Sequence, residues 1–413
     1  MAKRRLRNCG DDLTLTRICW DKKERDMVGR QKRVEEQVVV ITGASSGIGL
    51  ATARMFASRG ARGLVLVARN EEALRSIADE LSHGGTRAIA VPADVSKRED
   101  LERVARTAIE TFGGFDTWVN DAAVALYGKL EQIPIEDQRQ LFEVNYWGLV
   151  NGSLIAAQHL RNRGGTIVNV GSVLSERAMI LQTQYSASKH AVKGFTDGLR
   201  MELEEDGAPV WVTLIKPSSI DTPYVEHARN YLGKETTVPP PAYDPHLVGK
   251  AIVFASEHPR RELTIGFGGW VIGAMGKVAP RLTDKAMEWT GYSSQTTNQP
   301  ERGEMRDNLY RARQDGDEYS SLPREARKTS LLLEAQLHPF VTALAVAGIG
   351  AAIASLLLPV GSSARRRRPM RPQPPFQPVT STRHLGNGHD KRSFGPGHIS
   401  QRQTASQRPQ PRH

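Results

Sequence analysis

Tyr185 and Lys189 are four residues apart, a spacing that on a helix puts both side chains on one face, one turn from each other. A phenol with an unperturbed pKa of about 10 is a poor general base near neutrality, and a nearby cation favours its ionised form. Lys189 supplies that charge, and a depression of about 2–3 units corresponds to about 3–4 kcal/mol of differential stabilisation. The pair is expected to pass a proton to or from a carbonyl or hydroxyl oxygen. Ser172, directly after Val168-Asn-Val-Gly171, offers a hydroxyl to hold that oxygen, although a serine closing a strand also serves as a helix cap. Asn145 lies inside a helical pattern, where asparagine costs propensity, and this favours a functional reason for it. Taken alone, Tyr-x-x-x-Lys is a surface-helix pattern, so the elements around it must decide.

Those elements read as alternating strands and helices. The β-branched run from Gln37 to Ile41 suits a strand buried on both faces of a parallel sheet. Further strands are expected over Leu64 to Ala68, Ala88 to Pro92, Phe115 to Asn120, Thr166 to Val170 and Val210 to Ile215. Helices are expected over Glu71 to Leu81, Arg98 to Phe112 and, as one long element, about Ile135 to Leu160. This alternation predicts an α/β, doubly wound parallel sheet of Rossmann-like type, whose ligands bind beyond the carboxyl ends of the strands. After the first strand comes Gly43-Ala-Ser45-Ser46-Gly47-Ile48-Gly49. Gly43 permits the tight turn, Gly47 lets backbone approach a pyrophosphate, and Gly49 lets helix and strand pack closely; the phosphates then sit on the helix N-terminus.

Thr42-Gly-x-x-x-Gly-x-Gly49, Asn120-Asp-Ala-Ala123, Asn145, Ser172, Tyr185-x-x-x-Lys189 and Lys216-Pro-Ser-Ser-Ile-Asp-Thr-Pro223 together resemble the short-chain dehydrogenase/reductase family in its compact single-domain form, over roughly 34–292. Two motifs depart from its usual pattern: Asp121 with Ala123 stand where Asn-Ala-Gly is common, and Ser218 where glycine commonly follows the proline. The resemblance implies an oxidoreductase with Tyr185, Lys189, Ser172 and Asn145 as its catalytic set. In it, Lys189 bonds the nicotinamide ribose and Asn145 holds a water of the proton relay. It also implies a dinucleotide held by Gly43, Ser45, Ser46, Gly47, Ile48, Gly49, Arg69, Asp94, Val95, Asn120, Tyr185, Lys189, Pro217 and Ile220. Asp94 would contact the adenine, with capping of the next helix as its other reading. An acidic residue at the end of the second strand would bond a ribose 2′-hydroxyl, but Ala68-Arg69 stands there and arginine suits a 2′-phosphate, which favours NADP over NAD. The segment 218–243, with four prolines, resembles a substrate loop and mobile lid. A small carbonyl or alcohol substrate and a homo-oligomer are also implied. The alternatives are a nucleotide-sugar epimerase or dehydratase, whose usual tighter glycine spacing is absent, and a cofactor-binding pseudoenzyme or membrane-tethered scaffold.

The formal net charge of +11 belongs to the two ends of the chain. Residues 1–33 carry 11 basic and 5 acidic side chains and residues 361–413 carry 11 and 1, which leaves the body between them mildly acidic and argues against a nucleic-acid partner. The two cysteines, Cys9 and Cys19, support neither a disulfide framework nor a metal site. Residues 1–33 read as a disordered basic extension rather than a signal peptide, with Met27 as the expected natural start. Residues 293–336 read as a polar linker. Phe340 to Val360, uncharged and flanked by basic residues, reads as a membrane helix within 337–360, with the catalytic domain facing the cytoplasm; its other reading is a helix packed on the domain surface of a soluble cytoplasmic protein. Residues 361–413 read as a disordered tail.

Overall fold

The computed structural model describes residues 31–301, 307–313 and 315–357. The chain divides into two units, Met1–Ile353 and Ala354–His413, and the first is described below. The expected start at Met27 and the tail 361–413 lie outside the described residues, as do residues 1–30 of the basic extension. Residues 31–33 do not behave as part of a disordered extension: the Lys32 ammonium donates to Asp116 Oδ1 at 2.6 Å, and Val34 enters the core.

Seven parallel strands form the sheet: β1 (Val38–Thr42), β2 (Gly63–Ala68), β3 (Ala88–Pro92), β4 (Thr117–Asn120), β5 (Gly165–Val170), β6 (Val210–Pro217) and β7 (Glu262–Ile265). Their spatial order is β7-β6-β5-β4-β1-β2-β3. The order reverses between β1 and β4, where a crevice opens beyond the strand ends. The helices are α1 (Gly47–Ser58), α2 (Glu71–His83), α3 (Arg98–Phe112), α4 (Ile135–Phe142), α5 (Leu149–Leu160), α6 (Thr183–Glu205), α7 (Pro245–Glu257), α8 (Phe267–Val278), α9 (Pro280–Thr290), α10 (Leu331–Leu337) and α11 (Pro339–Leu357). Alternate residues of β1 feed two cores. Val39 and Ile41 pack with Leu50, Leu74, Val248 and Leu333 on one face; Val38 and Val40 pack with Leu101, Ile155 and Leu199 on the other.

Three expectations change. The seventh strand, β7, was not expected; four residues after a charged stretch carry too short a pattern to read. The long helix expected from Ile135 to Leu160 is two α-helices joined by a π-helical turn, Glu143–Gly148. The stretch 293–336 is not a free linker. Thr296–Pro300 pairs antiparallel with Lys234–Thr236, and Leu309, Leu322, Leu333 and Leu337 are buried against the domain. Burying those four apolar side chains stabilises the wrap by about 1.5–3 kcal/mol each.

No single helix among the described residues is long and apolar enough to cross a membrane. Leu331–Leu337 and Pro339–Gly350 pass together by length and composition, but they are bent by 114°. Within α11, Phe340, Leu344 and Ile349 are exposed.

Candidate active site

The crevice holds a cavity of about 330 Å³ lined from the ends of β1, β2, β4, β5 and β6 and from α6. At its phosphate end, Gly43 (φ 76°) and Gly47 (φ 52°) take left-handed backbone, which suits glycine alone without strain. A Cβ on Gly49 would lie 2.1 Å from the Gly43 carbonyl oxygen, so the close approach of α1 to β1 needs a bare backbone there. Ser46 is the N-cap of α1 but makes no side-chain cap bond, and the Ile48 amide has no partner among the described residues. The Ile48 amide, open at this helix N-terminus, fits a dinucleotide's phosphate, whereas the Gly47 amide donates to the Asp317 carbonyl oxygen. Gly43, Ser45, Ser46, Gly47, Ile48, Arg69, Asp94, Val95, Pro217 and Ile220 all line the cavity; Gly49 lies behind it as packing.

Asn120 does not line it. Its side chain accepts from Trp118 Nε1 at 2.8 Å and donates to Asn169 Oδ1 at 2.9 Å and Ser153 Oγ at 3.0 Å, which ties β4 to β5 and α5 beneath the crevice. Its place in the wall passes to Asp121. The Asp94 carboxylate accepts from the Ser96 amide and hydroxyl at 3.0 and 2.7 Å, which closes a local turn and does not cap α3, whose N-cap is Lys97, and Asp94 borders the cavity. Arg69 points into the crevice, and its guanidinium donates to the carbonyls of Asn308 and Leu309.

At the reactive end, Tyr185, Lys189 and Ser172 converge on the same cavity. Their convergence follows from α6 running beneath the end of β5: the Lys189 ammonium donates to the Val170 carbonyl oxygen at 2.9 Å and sits 5.6 Å from the Tyr185 ring centroid. Ser172 Oγ accepts from the Leu174 amide at 3.1 Å, and the same hydroxyl acts on the Tyr185 phenol to lower its pKa in part. It therefore serves as both cap and contact. Asn145 does not reach the cavity. Its Oδ1 accepts from the Val124 amide at 2.8 Å and its Nδ2 donates to the Val124 carbonyl at 2.9 Å and Ser188 Oγ at 3.4 Å, so it holds the β4 exit loop against α6.

Lys189 is not among the groups that shift Tyr185, and the phenol lies above its ordinary value rather than below it. Burial pushes the phenol up to about 12; hydrogen bonds from Tyr224 and Ser172 lower it in part, and the Asp121 charge raises it. Burial lowers Lys189 to about 8 against the pull of Asp121. Asp121 is pushed up to about 7 by burial, despite the opposing effects of Lys189 and the Gly49 amide. Desolvation outweighs the mutual attraction at Lys189 and Asp121, and at Tyr185 it outweighs the neighbouring hydroxyls.

Several lining residues were not anticipated. Tyr224 stacks edge-on to Tyr185 with centroids 5.6 Å apart and donates to Gln182 Oε1 at 3.0 Å. Asn308, Arg313 and Asp315 reach the crevice from the far end of the chain. An aromatic after Thr-Pro at 222–223 was a visible signal for Tyr224. Nothing local marks the second group.

Comparison with known proteins agrees with this geometry. The short chain dehydrogenase family pattern matches residues 37–232. The uncharacterized oxidoreductase YxnA of Bacillus subtilis (strain 168) is 45% identical over 326 residues, which is 77% of this chain and 90% of that one. A short chain dehydrogenase from Burkholderia cenocepacia J2315 in complex with NADP is 29% identical with a TM-score of 0.52, covering 62% of this chain and 98% of its own. A short chain dehydrogenase/reductase from Burkholderia phymatum in complex with NAD is 26% identical with a TM-score of 0.53, covering 66% and 100%.

Proposed function

The chain belongs to the short-chain dehydrogenase/reductase family and is an NAD(P)-dependent oxidoreductase, and from that premise we propose that it interconverts an alcohol and a ketone or aldehyde with NADP as preferred cofactor. The observation that carries the reading is the convergence of Tyr185, Ser172 and Lys189 on the crevice that also holds the glycine turn. A bound nicotinamide supplies or accepts hydride at the substrate carbon. Tyr185, kept protonated by burial, is set to donate to the carbonyl oxygen, which Ser172 holds in reach. Lys189 replaces the proton on the phenol, and Asn145 acts one step back by fixing the loop and α6. Preference for NADP rests on Arg69 and the lack of an acidic side chain at the end of β2. Val173, Leu174, Met179, Val238, Ile272 and Met287 line the cavity and favour an apolar carbonyl. Tyr185→Phe should reduce ketone turnover with NADPH by about 10²-fold or more while cofactor binding stays within about twofold; turnover at the parental rate would remove the mechanism.

The exposed α11 supports attachment to a membrane with the catalytic unit on the NADPH-bearing, cytoplasmic side. Exposed Trp147 and Leu154 support a homo-oligomer formed through the α4–α5 face. Full-length protein is then expected in the membrane pellet, and a chain ending at His338 is expected in the supernatant as an oligomer by sedimentation. Equal partitioning, or a monomer, would count against the respective part.

A further inference from the structure

The donors that a dinucleotide's anionic groups would use are engaged by a part of this same chain 270 residues downstream. At the glycine turn, the Gly47 amide donates to the Asp317 carbonyl at 2.9 Å, Ser45 Oγ donates to Asp315 Oδ2 at 2.7 Å, and the Gly316 amide donates to the Ser45 carbonyl at 2.9 Å. Toward the ribose end, Arg69 donates to the carbonyls of Asn308 and Leu309, and Asn70 Nδ2 donates to the Arg313 carbonyl at 2.6 Å. Asp315 Oδ1 also lies 3.8 Å from His227 Nε2.

The segment is fastened outside the crevice. Tyr310 Oη donates to Asp137 Oδ1 at 2.8 Å, Arg229 Nε donates to Asp307 Oδ2 at 3.0 Å, Arg54 donates to Glu318 Oε1 at 3.0 Å, and Leu309 is wholly buried. A flap that clamps a bound dinucleotide would leave the phosphate donors open and aim its own cations inward. Here the segment presents the Asp317 carbonyl and the Asp315 carboxylate to the glycine turn and helix N-terminus, and the Arg313 guanidinium donates to the Glu226 carbonyl at 2.8 Å.

We propose that the described residues between Asp307 and Glu318 form an affinity-setting strap that takes the donors of the glycine turn and of Arg69 in the dinucleotide's stead, with Asp315 as the residue that must give way for the cofactor to bind. The inference rests on the cofactor reading above. A site whose competent form is only fractionally populated binds its ligand more weakly by that fraction, and freeing the strap removes the penalty.

The test is fluorescence titration of the full-length protein with NADPH, with thermal melting to verify folding. Asp315→Asn keeps the shape but removes the charge and should lower the dissociation constant by about tenfold. Tyr310→Phe loosens an anchor outside the crevice and should lower it severalfold; it also keeps the test decisive if the first variant fails to fold. Binding no tighter than the parent in either variant overturns the strap and leaves the cofactor reading standing. No binding of NADPH or NADH by parent and variants alike overturns the cofactor reading, and the strap with it.

Discussion

Three titratable groups share the floor of the crevice, and burial drives each toward its neutral form: Tyr185 up to about 12, Lys189 down to about 8, Asp121 up to about 7. A phenol held this way is a proton donor at neutral pH, which suits reduction of a carbonyl. The carboxyl group at 121 is the feature that sets this site apart from the Asn-Ala-Gly pattern, and its charge raises the proton affinity of Lys189. The sign of its effect on rate follows. Activity that needs the ammonium is present below about pH 8 and is lost as pH rises through that value. Without the neighbouring carboxylate the ammonium is harder to hold, so in Asp121→Asn the alkaline limb should move to lower pH by about one unit. A profile of kcat between pH 6 and 10 decides it, and a limb that stays put or moves up contradicts the coupling. The residue types were readable because proton transfer beside a dinucleotide admits few of them. The direction of the Tyr185 shift was not readable, because spacing along a helix reports who stands near whom and says nothing about how much water is left.

At the scale of elements, the site depends on how α4, the π turn and α5 lie on β4. The π turn places Asn145 so that it bonds both backbone groups of Val124, and such turns recur at functional positions. One turn further on, a Cβ at Gly152 would fall 2.4 Å from Asn120 Oδ1 and 3.0 Å from Trp118 Nε1. Gly152→Ala must therefore push apart the buried network of Asn120, and it should destabilise the fold by about 1–3 kcal/mol in urea unfolding despite the better helix propensity of alanine. A neutral or stabilising result would show that the network yields freely. Strands β1 to β6 were legible because each is a compact apolar run that ends in, or is followed within two residues by, a glycine, asparagine or proline. The π turn left no trace in the sequence, since one extra residue per turn barely disturbs a helical pattern. Asn120 was misassigned for a related reason: a residue ending a strand faces either the crevice or the layer beneath, and only the register of β4 on β5 decides which.

For the whole molecule, charge and hydrophobicity divide the chain differently from structure. Net positive charge concentrates at the two ends, while the apolar residues that bind the last part of the domain are scattered among acids and arginines. Leu309 and Leu322 each join a different cluster, and only Leu333 and Leu337, one helical turn apart on α10, share one, so the stretch carries no sustained period and sequence alone made it look like a tether. The wrap brings the 307–330 region back to the first strand-helix unit, giving the fold some of its most distant contacts. Such contacts form late, since the intervening loop must close first. At a synthesis rate of about 5–20 residues per second, the ribosome delivers Asp315 about 15–50 s after Ser45. Through that interval the nascent glycine turn stands bare, and a dinucleotide meeting it then would find no rival.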